Sequence, residues 1–217
     1  MNDAGSSLPH LERHQREIGE YIARVRENTE SRFGPGWWGV WDQHVKVPEA
    51  GHIVDFGAGS GRLLELLRGR YPKARLTGVE LHPALLEIAR TAAKPIGATV
   101  IEADLGQPVP IKAADVDVVV SSMSFHELPY PPALLENAAR ILKPGGALVL
   151  LDIVKCPLES YLDKKTLSRD TLDHFREHCL FTADDIGFLM RSAGLSVKET
   201  VLRSGGRFAM IVAAKPA

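Results

Sequence analysis

The chain has few cysteines, no long apolar run and no signal-like start. Only Cys156 and Cys179 occur in 217 residues, which excludes a disulfide framework, and we interpret both as ordinary thiols. No stretch approaches the roughly 18 consecutive apolar residues of a membrane-spanning helix, and no basic region followed by an apolar stretch opens the chain. These absences predict a cytoplasmic protein that does not bind membranes.

An excess of charge of one sign is also missing. Lys and Arg number 26 against 27 for Asp and Glu, a formal net charge of −1, which argues against a broad nucleic-acid interface and favours a small-molecule partner. With 45% hydrophobic residues and no repeat or low-complexity tract, the chain is expected to form one globular unit. It would be a monomer or a homodimer.

A glycine-rich turn follows the first apolar strand. Asp55 is succeeded by Gly57, Gly59 and Gly61, a spacing that allows positive φ angles and close approach of a ligand to the backbone. The start of the following helix directs unpaired N–H groups at the same place. A dehydrogenase fingerprint would place its third glycine at position 62, where the chain has Arg62. The turn therefore predicts a nucleotide-type binding loop of another kind.

Strand and helix patterns alternate regularly after this turn. Strands are predicted near 52–56, 75–79, 98–102, 116–121, 146–152, 195–203 and 206–214, and helices near 60–70, 83–93, 131–142 and 182–193. The short connection Ser204-Gly205-Gly206 permits only antiparallel pairing of the last two strands. The predicted fold is α/β, a Rossmann-like doubly wound seven-stranded sheet with a reversed last strand.

The N-terminal part has a different pattern. Apolar residues at near-helical spacing over about 8–32 predict one amphipathic helix, which Gly34-Pro35-Gly36 would end. We therefore divide the chain into a helical lid at 1–45 and a globular unit at 46–217.

Several further segments with distinct sequence patterns follow the glycine turn. A β-rich run ends in the carboxylate of Glu80, a third strand ends at Asp104, and a continuous apolar strand at 117–120 opens into small polar residues. A Pro-Gly-Gly turn at 144–146 precedes another apolar strand. Together with the glycine turn, these segments resemble the class I S-adenosylmethionine-dependent methyltransferases, in particular the small-molecule type 11 or ubiquinone-methyltransferase-like group. The resemblance covers roughly residues 50–215.

The resemblance implies S-adenosylmethionine as the cofactor. By it, Glu80 would accept hydrogen bonds from the ribose hydroxyls, Leu81 would pack on the adenine, and Asp104 with Leu105 would recognise the adenine edge. The full set of expected cofactor-binding residues is Asp55, Gly57, Ala58, Gly59, Gly61, Glu80, Leu81, Asp104, Leu105, Ser121 and Ser122.

Catalytic residues are harder to assign, because in-line methyl transfer requires alignment and exclusion of water more than a dedicated base. His126, just beyond the fourth strand, is the candidate base, with a structural role as the alternative. His174 and His178 share one helix face, yet no further ligands stand nearby, so no metal is expected. The segment 153–181 is interpreted as an active-site cover or a solvated helical surface. Expected substrate contacts are Tyr21, Trp37, Trp41, His126, His174 and His178, with packing as the alternative for the tryptophans.

The predicted function is transfer of a methyl group from S-adenosylmethionine to an O, N or C nucleophile of a small-molecule metabolite. The run Ser-Ser-Met-Ser at 121–124 differs from the Asn/Asp-Pro-Pro-Tyr run of amino-methylating relatives, which argues against nucleobase substrates. Two alternatives stay open: a non-catalytic S-adenosylmethionine-binding regulatory or scaffold protein, and a nicotinamide-dependent oxidoreductase.

Overall fold

A computed structural model describes residues 6–9 and 32–217 of the chain. Seven strands run as β1 His52–Phe56, β2 Arg75–Glu80, β3 Thr99–Glu102, β4 Val116–Ser122, β5 Leu142–Ile153, β6 Ser196–Arg203 and β7 Phe208–Ala214. The helices in this part of the chain are α1 Pro35–His44, α2 Arg62–Arg70, α3 Pro83–Ala93, α4 Pro132–Ile141, α5 Leu158–Leu162, α6 Arg169–His178 and α7 Ala183–Ser192. Short 3₁₀ turns lie at Lys94–Ile96 and Ser204–Gly206.

The seven strands form one sheet in the order β3-β2-β1-β4-β5-β7-β6. The first five strands pair in parallel, whereas β7 runs antiparallel to both β5 and β6. The predicted doubly wound sheet with a reversed last strand is confirmed. Because β1 has β2 on one side and β4 on the other, the strand order reverses there, and a crevice opens at the carboxyl ends of these strands.

Helices cover both faces of the sheet. Along the central strands, successive residues enter opposite cores: Val119 and Leu148 pack in one cluster, while Val118 and Val149 pack in the other. This alternation follows from the two-residue period of a strand. Every residue of β1 is buried, as expected for a parallel strand covered on both faces. The two cores pack against opposite faces of the sheet and so fix the strand ends that surround the crevice.

Helix α1, directly after the predicted helix end at Gly34, is an element that the sequence pattern did not predict. The structure begins a helix here, with Pro35 in the first turn, where its missing N–H costs no hydrogen bond. Trp37 and Trp41, one turn apart, are both fully buried in the core, and Trp41 Nε1 donates to the Tyr71 hydroxyl at 2.6 Å. The tryptophans therefore pack the domain, and the expected substrate contacts of Trp37 and Trp41 are wrong. The amphipathic helix predicted over about 8–32 and Tyr21 lie outside the described residues.

Two smaller differences concern element ends. Strand β5 begins at Leu142, because Leu142 pairs with Val116 before a register shift restores pairing of Ala147 with Val118. The segment predicted as a cover or a solvated helical surface carries the two helices α5 and α6. Among the described residues, none of the helices combines the length and apolarity needed to cross a lipid bilayer.

Candidate active site

A cavity that is partly open to solvent lies at the carboxyl ends of β1, β2 and β4. Nine of the expected cofactor-binding residues line it: Asp55, Gly57, Ala58, Gly59, Glu80, Leu81, Asp104, Leu105 and Ser122. Two do not. Ser121 is fully buried between its strand partners Phe56 and Leu150, since neighbouring strand residues face opposite sides.

The glycine loop packs closely against the segment after β4. Gly57 has φ +76°, and a Cβ there would lie 1.9 Å from Ser124 Oγ, so only glycine fits. Gly61 has the same φ of 76° at the N-cap of α2, where a Cβ would lie 3.1 Å from Ala92 Cβ on α3. Gly61 therefore serves helix packing and does not line the cavity, and its assignment as a cofactor contact stays a prediction.

Glu80 joins the end of β2 to the glycine loop. Its Oε2 accepts a hydrogen bond from Gly59 N at 2.8 Å, and its Oε1 accepts from Leu81 N at 2.9 Å and His82 N at 2.8 Å. Burial raises the pKa of this carboxyl, against the opposing effect of those three N–H donors. These bonds use three of the roughly four lone-pair sites of the carboxylate and leave one on Oε2. Glu80 therefore shapes the loop and lines the cavity at once.

Asp55 is the second buried carboxyl of the site. It is 3% exposed on β1 and lines the same cavity as Glu80. Burial, with a further contribution from the charge of Glu80, raises the pKa of Asp55 from 3.8 to about 7. The cavity floor therefore changes charge near neutral pH, and a cation placed there would favour the ionised form.

Asp104 is held by the N-terminal segment. Ser7 donates from its backbone N to Oδ2 at 2.8 Å and from its hydroxyl to Oδ1 at 2.7 Å. Gly106 N also donates to Oδ1, at 2.8 Å. Ser7 is 1% exposed and lines the cavity. The contact that the resemblance assigns to the adenine amino group is made here by Ser7.

His126 lies behind the cavity wall. Its Nδ1 contacts Asp152 Oδ1, and its Nε2 lies 3.2 Å from Glu127 Oε1. Burial opposes protonation of the ring, but Asp152 and Glu127 outweigh that effect and raise the pKa of His126 to about 10. Both nitrogens face carboxylates and the ring does not line the cavity, so the structure does not support His126 as a free general base or as a substrate contact.

The histidines of α6 lie against this group. The His178 ring centroid is 5.2 Å from that of His126 and 4.3 Å from that of His174. His174 Nδ1 is 2.5 Å from the Tyr161 hydroxyl. His178 is 3% exposed, and neither α6 histidine lines the cavity. The two residues belong to a histidine cluster next to the cavity, and their contact with substrate stays a prediction.

Several lining residues were not predicted. Arg32 and Phe33 line the cavity from the N-terminal side, and Met123, Ser124 and Glu127 line it from the segment after β4. Met123 has φ +60°, a conformation that costs energy for a residue with a Cβ and that clusters at functional sites. The polar run at 121–124 pointed to this segment, whereas nothing in the sequence pointed to Arg32 or Phe33.

Comparison with known proteins agrees with this architecture. Residues 54–150, from the end of β1 into β5, match the family model described as a methyltransferase domain. Over this stretch, which is somewhat less than half of the chain, the sequence is similar to the methyltransferase domains of that family. The matched residues include the glycine loop, Glu80, Asp104 and the segment after β4. S-adenosylmethionine is the cofactor of the family.

Two curated relatives resemble the same part of the domain. The malonyl-[acyl-carrier protein] O-methyltransferase of Hahella chejuensis is 34% identical over 97 residues, 45% of this chain and 34% of that protein. The trans-aconitate 2-methyltransferase of Enterobacter sp. (strain 638) is 36% identical over 106 residues, 49% of this chain and 40% of that protein. The chain thus matches well under half the length of either relative.

A solved structure extends the likeness of fold. The Haemonchus contortus phosphoethanolamine N-methyltransferase 2, in complex with phosphomonomethylethanolamine and S-adenosylhomocysteine, superposes with a TM-score of 0.76 at 14% identity. The superposition covers 100% of this chain and 62% of that one. At this identity the likeness concerns the fold of the methyltransferase domain.

Proposed function

We propose that this methyltransferase domain transfers a methyl group from S-adenosylmethionine to a carboxylate oxygen of a small-molecule acceptor. The single observation that carries the cofactor part is the convergence of Gly57, Glu80 and Asp104 on one cavity. A sulfonium cofactor supplies an electrophilic methyl group. The protein then has to align the acceptor with that group and exclude water.

The cavity fits such a nucleotide. A Cβ at Gly57 would clash with Ser124 Oγ, so glycine is required where the loop meets the segment after β4 at the cavity. Ser122 Oγ is buried at the cavity, and the described part of the chain gives it no hydrogen-bond partner. A buried hydroxyl without a partner costs free energy, and a ligand atom would relieve that cost.

Specific roles follow for the lining residues. Glu80 would accept from a ribose hydroxyl through the lone pair of Oε2 that its three backbone bonds leave available. Asp104 would accept from the adenine amino group once Ser7 withdraws its hydroxyl, and Leu81 and Leu105 would pack against the ring. All four residues line the cavity, which supports these roles.

The choice of nucleophile rests on the surroundings of His126, the predicted base. His126 is enclosed by Asp152 and Glu127, so the nucleophile should be one that has no proton to lose at neutral pH. A carboxylate meets this condition. Arg32 and Arg62 line the cavity, and guanidinium groups suit anionic acceptors. The names of the two curated relatives refer to a malonyl group and to trans-aconitate, both of which are carboxylates, and this also supports the proposal.

The test is S-adenosylhomocysteine formation, followed by mass spectrometry, with trans-aconitate and a malonyl thioester as acceptors. The matched controls are the corresponding amides, which keep the shape and lack the charge. We expect a methyl ester from the acids and no product from the amides. Methylation of an amine or a carbon acceptor instead would contradict the carboxylate assignment. Cofactor binding without turnover of any acceptor would favour the non-catalytic alternative.

A further inference from the structure

His126, Glu127 and His178 form a cluster with the composition of a metal site. One potential ligand atom from each lies within 4.8 Å of the other two. His126 and Glu127 follow β4, whereas His178 ends α6. Two imidazoles with one carboxylate are a ligand set that transition-metal ions use in proteins.

The spacing suits direct coordination. His126 Nε2 and Glu127 Oε1 are 3.2 Å apart. For metal–ligand bonds of about 2.0 Å, the ligand atoms of a tetrahedral zinc site stand about 3.3 Å from one another. The third ligand, within the 4.8 Å span of the cluster, would reach its position by a side-chain adjustment.

The surroundings orient the first ligand. Asp152 Oδ1 contacts His126 Nδ1, which turns Nε2 toward Glu127. Asp152 Oδ2 accepts from Ser124 N at 3.1 Å and Phe125 N at 2.9 Å, so this carboxylate is itself fixed. A carboxylate behind the far nitrogen of a ligating histidine is the usual support of such sites.

We propose that His126, Glu127 and His178 bind a divalent transition-metal ion of the zinc type. Three protein ligands leave at least one coordination position open. Among the three ligands, Glu127 lines the cavity, so the bound ion lies beside the cavity. The imidazole ligands favour Zn²⁺ or Co²⁺ over Mg²⁺. This inference does not depend on the cofactor or on methyl transfer.

The test is calorimetric titration of the chelator-treated full chain with Zn²⁺, Co²⁺ and Mg²⁺, without cofactor. Cobalt absorption provides a second readout of the ligand geometry. We expect one equivalent of Zn²⁺ or Co²⁺ to bind and no binding of Mg²⁺. Binding should be at least about 10-fold weaker in His178→Ala. His174→Ala, one turn earlier on the same helix, should bind like the parent chain.

A second variant guards against loss of folding. Glu127→Gln keeps the size of the side chain and removes its charge, and it should also weaken Zn²⁺ binding while circular dichroism stays unchanged. The proposal is overturned if no zinc equivalent binds. Equal affinity in the parent chain, His178→Ala and Glu127→Gln would overturn it as well. Preference for Mg²⁺ would contradict the ligand assignment.

Discussion

Replacing Asp55 with Asn should change the pH dependence of stability. The pKa of Asp55 rises from 3.8 in its ordinary state to about 7 in the fold, because the carboxyl is buried beside Glu80. A raised carboxyl pKa means that the folded chain holds a proton which the unfolded chain releases. The contribution of protonated Asp55 to the free energy of unfolding is therefore complete below about pH 4 and is lost as the pH rises through 7.

The magnitude follows from the same pKa difference. A difference of about three between the folded and unfolded chains corresponds to at most about 4 kcal/mol of the free energy of unfolding. The asparagine side chain has no carboxyl to ionise, so Asp55→Asn does not lose stability as the pH rises. The variant should therefore gain stability relative to the parent chain between pH 4 and pH 7. Above pH 7 the difference between the two chains should stay constant.

The assay is urea denaturation of both chains at half-unit steps from pH 4 to pH 8. Asp184→Asn, which alters an exposed aspartate in the first turn of α7, is the matched control and should leave the pH profile unchanged. Parallel profiles for the parent chain and Asp55→Asn would refute the account of Asp55 as a carboxyl kept protonated by burial and by Glu80.

Three further predictions concern the walls of the cavity. Gly57→Ala should weaken S-adenosylhomocysteine binding more than about 10-fold by the clash with Ser124. Gly97→Ala, which has φ +64° and no neighbour within 4 Å, should only lower stability by about 1 kcal/mol; equal binding by the two variants in calorimetry would contradict the clash. Ser7→Ala should raise affinity for the cofactor up to about tenfold, because one donor to Asp104 is removed. Weaker binding in the same assay would place Ser7 in the cofactor site instead. Asn137→Ala should lower the free energy of unfolding by about 3 kcal/mol, because its buried amide accepts from Val109 N and donates to the carbonyls of Leu105 and Gln107. Chemical denaturation checks this loss, and a change below about 1 kcal/mol would oppose it.

Local patterns were enough to predict the sheet and the cofactor side of the cavity. Parallel strands buried on both faces give continuous apolar runs, and the glycine loop lies directly after one of them. Glu80 and Asp104 could be placed at the cavity because each stands at a strand end, where the doubly wound topology brings side chains to one edge; their roles toward the cofactor follow from the resemblance. These residues need no knowledge of distant contacts.

Contacts between distant parts of the chain could not be predicted in the same way. The Ser7 contact with Asp104 joins positions 97 residues apart, and His126 meets His178 only because α6 folds back over the segment after β4. Spacing along the chain carries no record of such contacts. The helix that carries Trp37 and Trp41 was also not predicted. The two residues stand at helical spacing, but the glycines around Pro35 pointed to a break in the chain direction.

The central claim is that the glycine loop, Glu80 and Asp104 form an S-adenosylmethionine site. Calorimetric titration of the purified chain with S-adenosylmethionine and S-adenosylhomocysteine, beside NAD and NADP, tests it most directly. The account predicts micromolar binding of the two sulfur nucleotides, weakened in Glu80→Ala, and no binding of the nicotinamide cofactors. Binding of NAD or NADP in place of the sulfur nucleotides would contradict it, as would an affinity for S-adenosylmethionine that Glu80→Ala leaves unchanged.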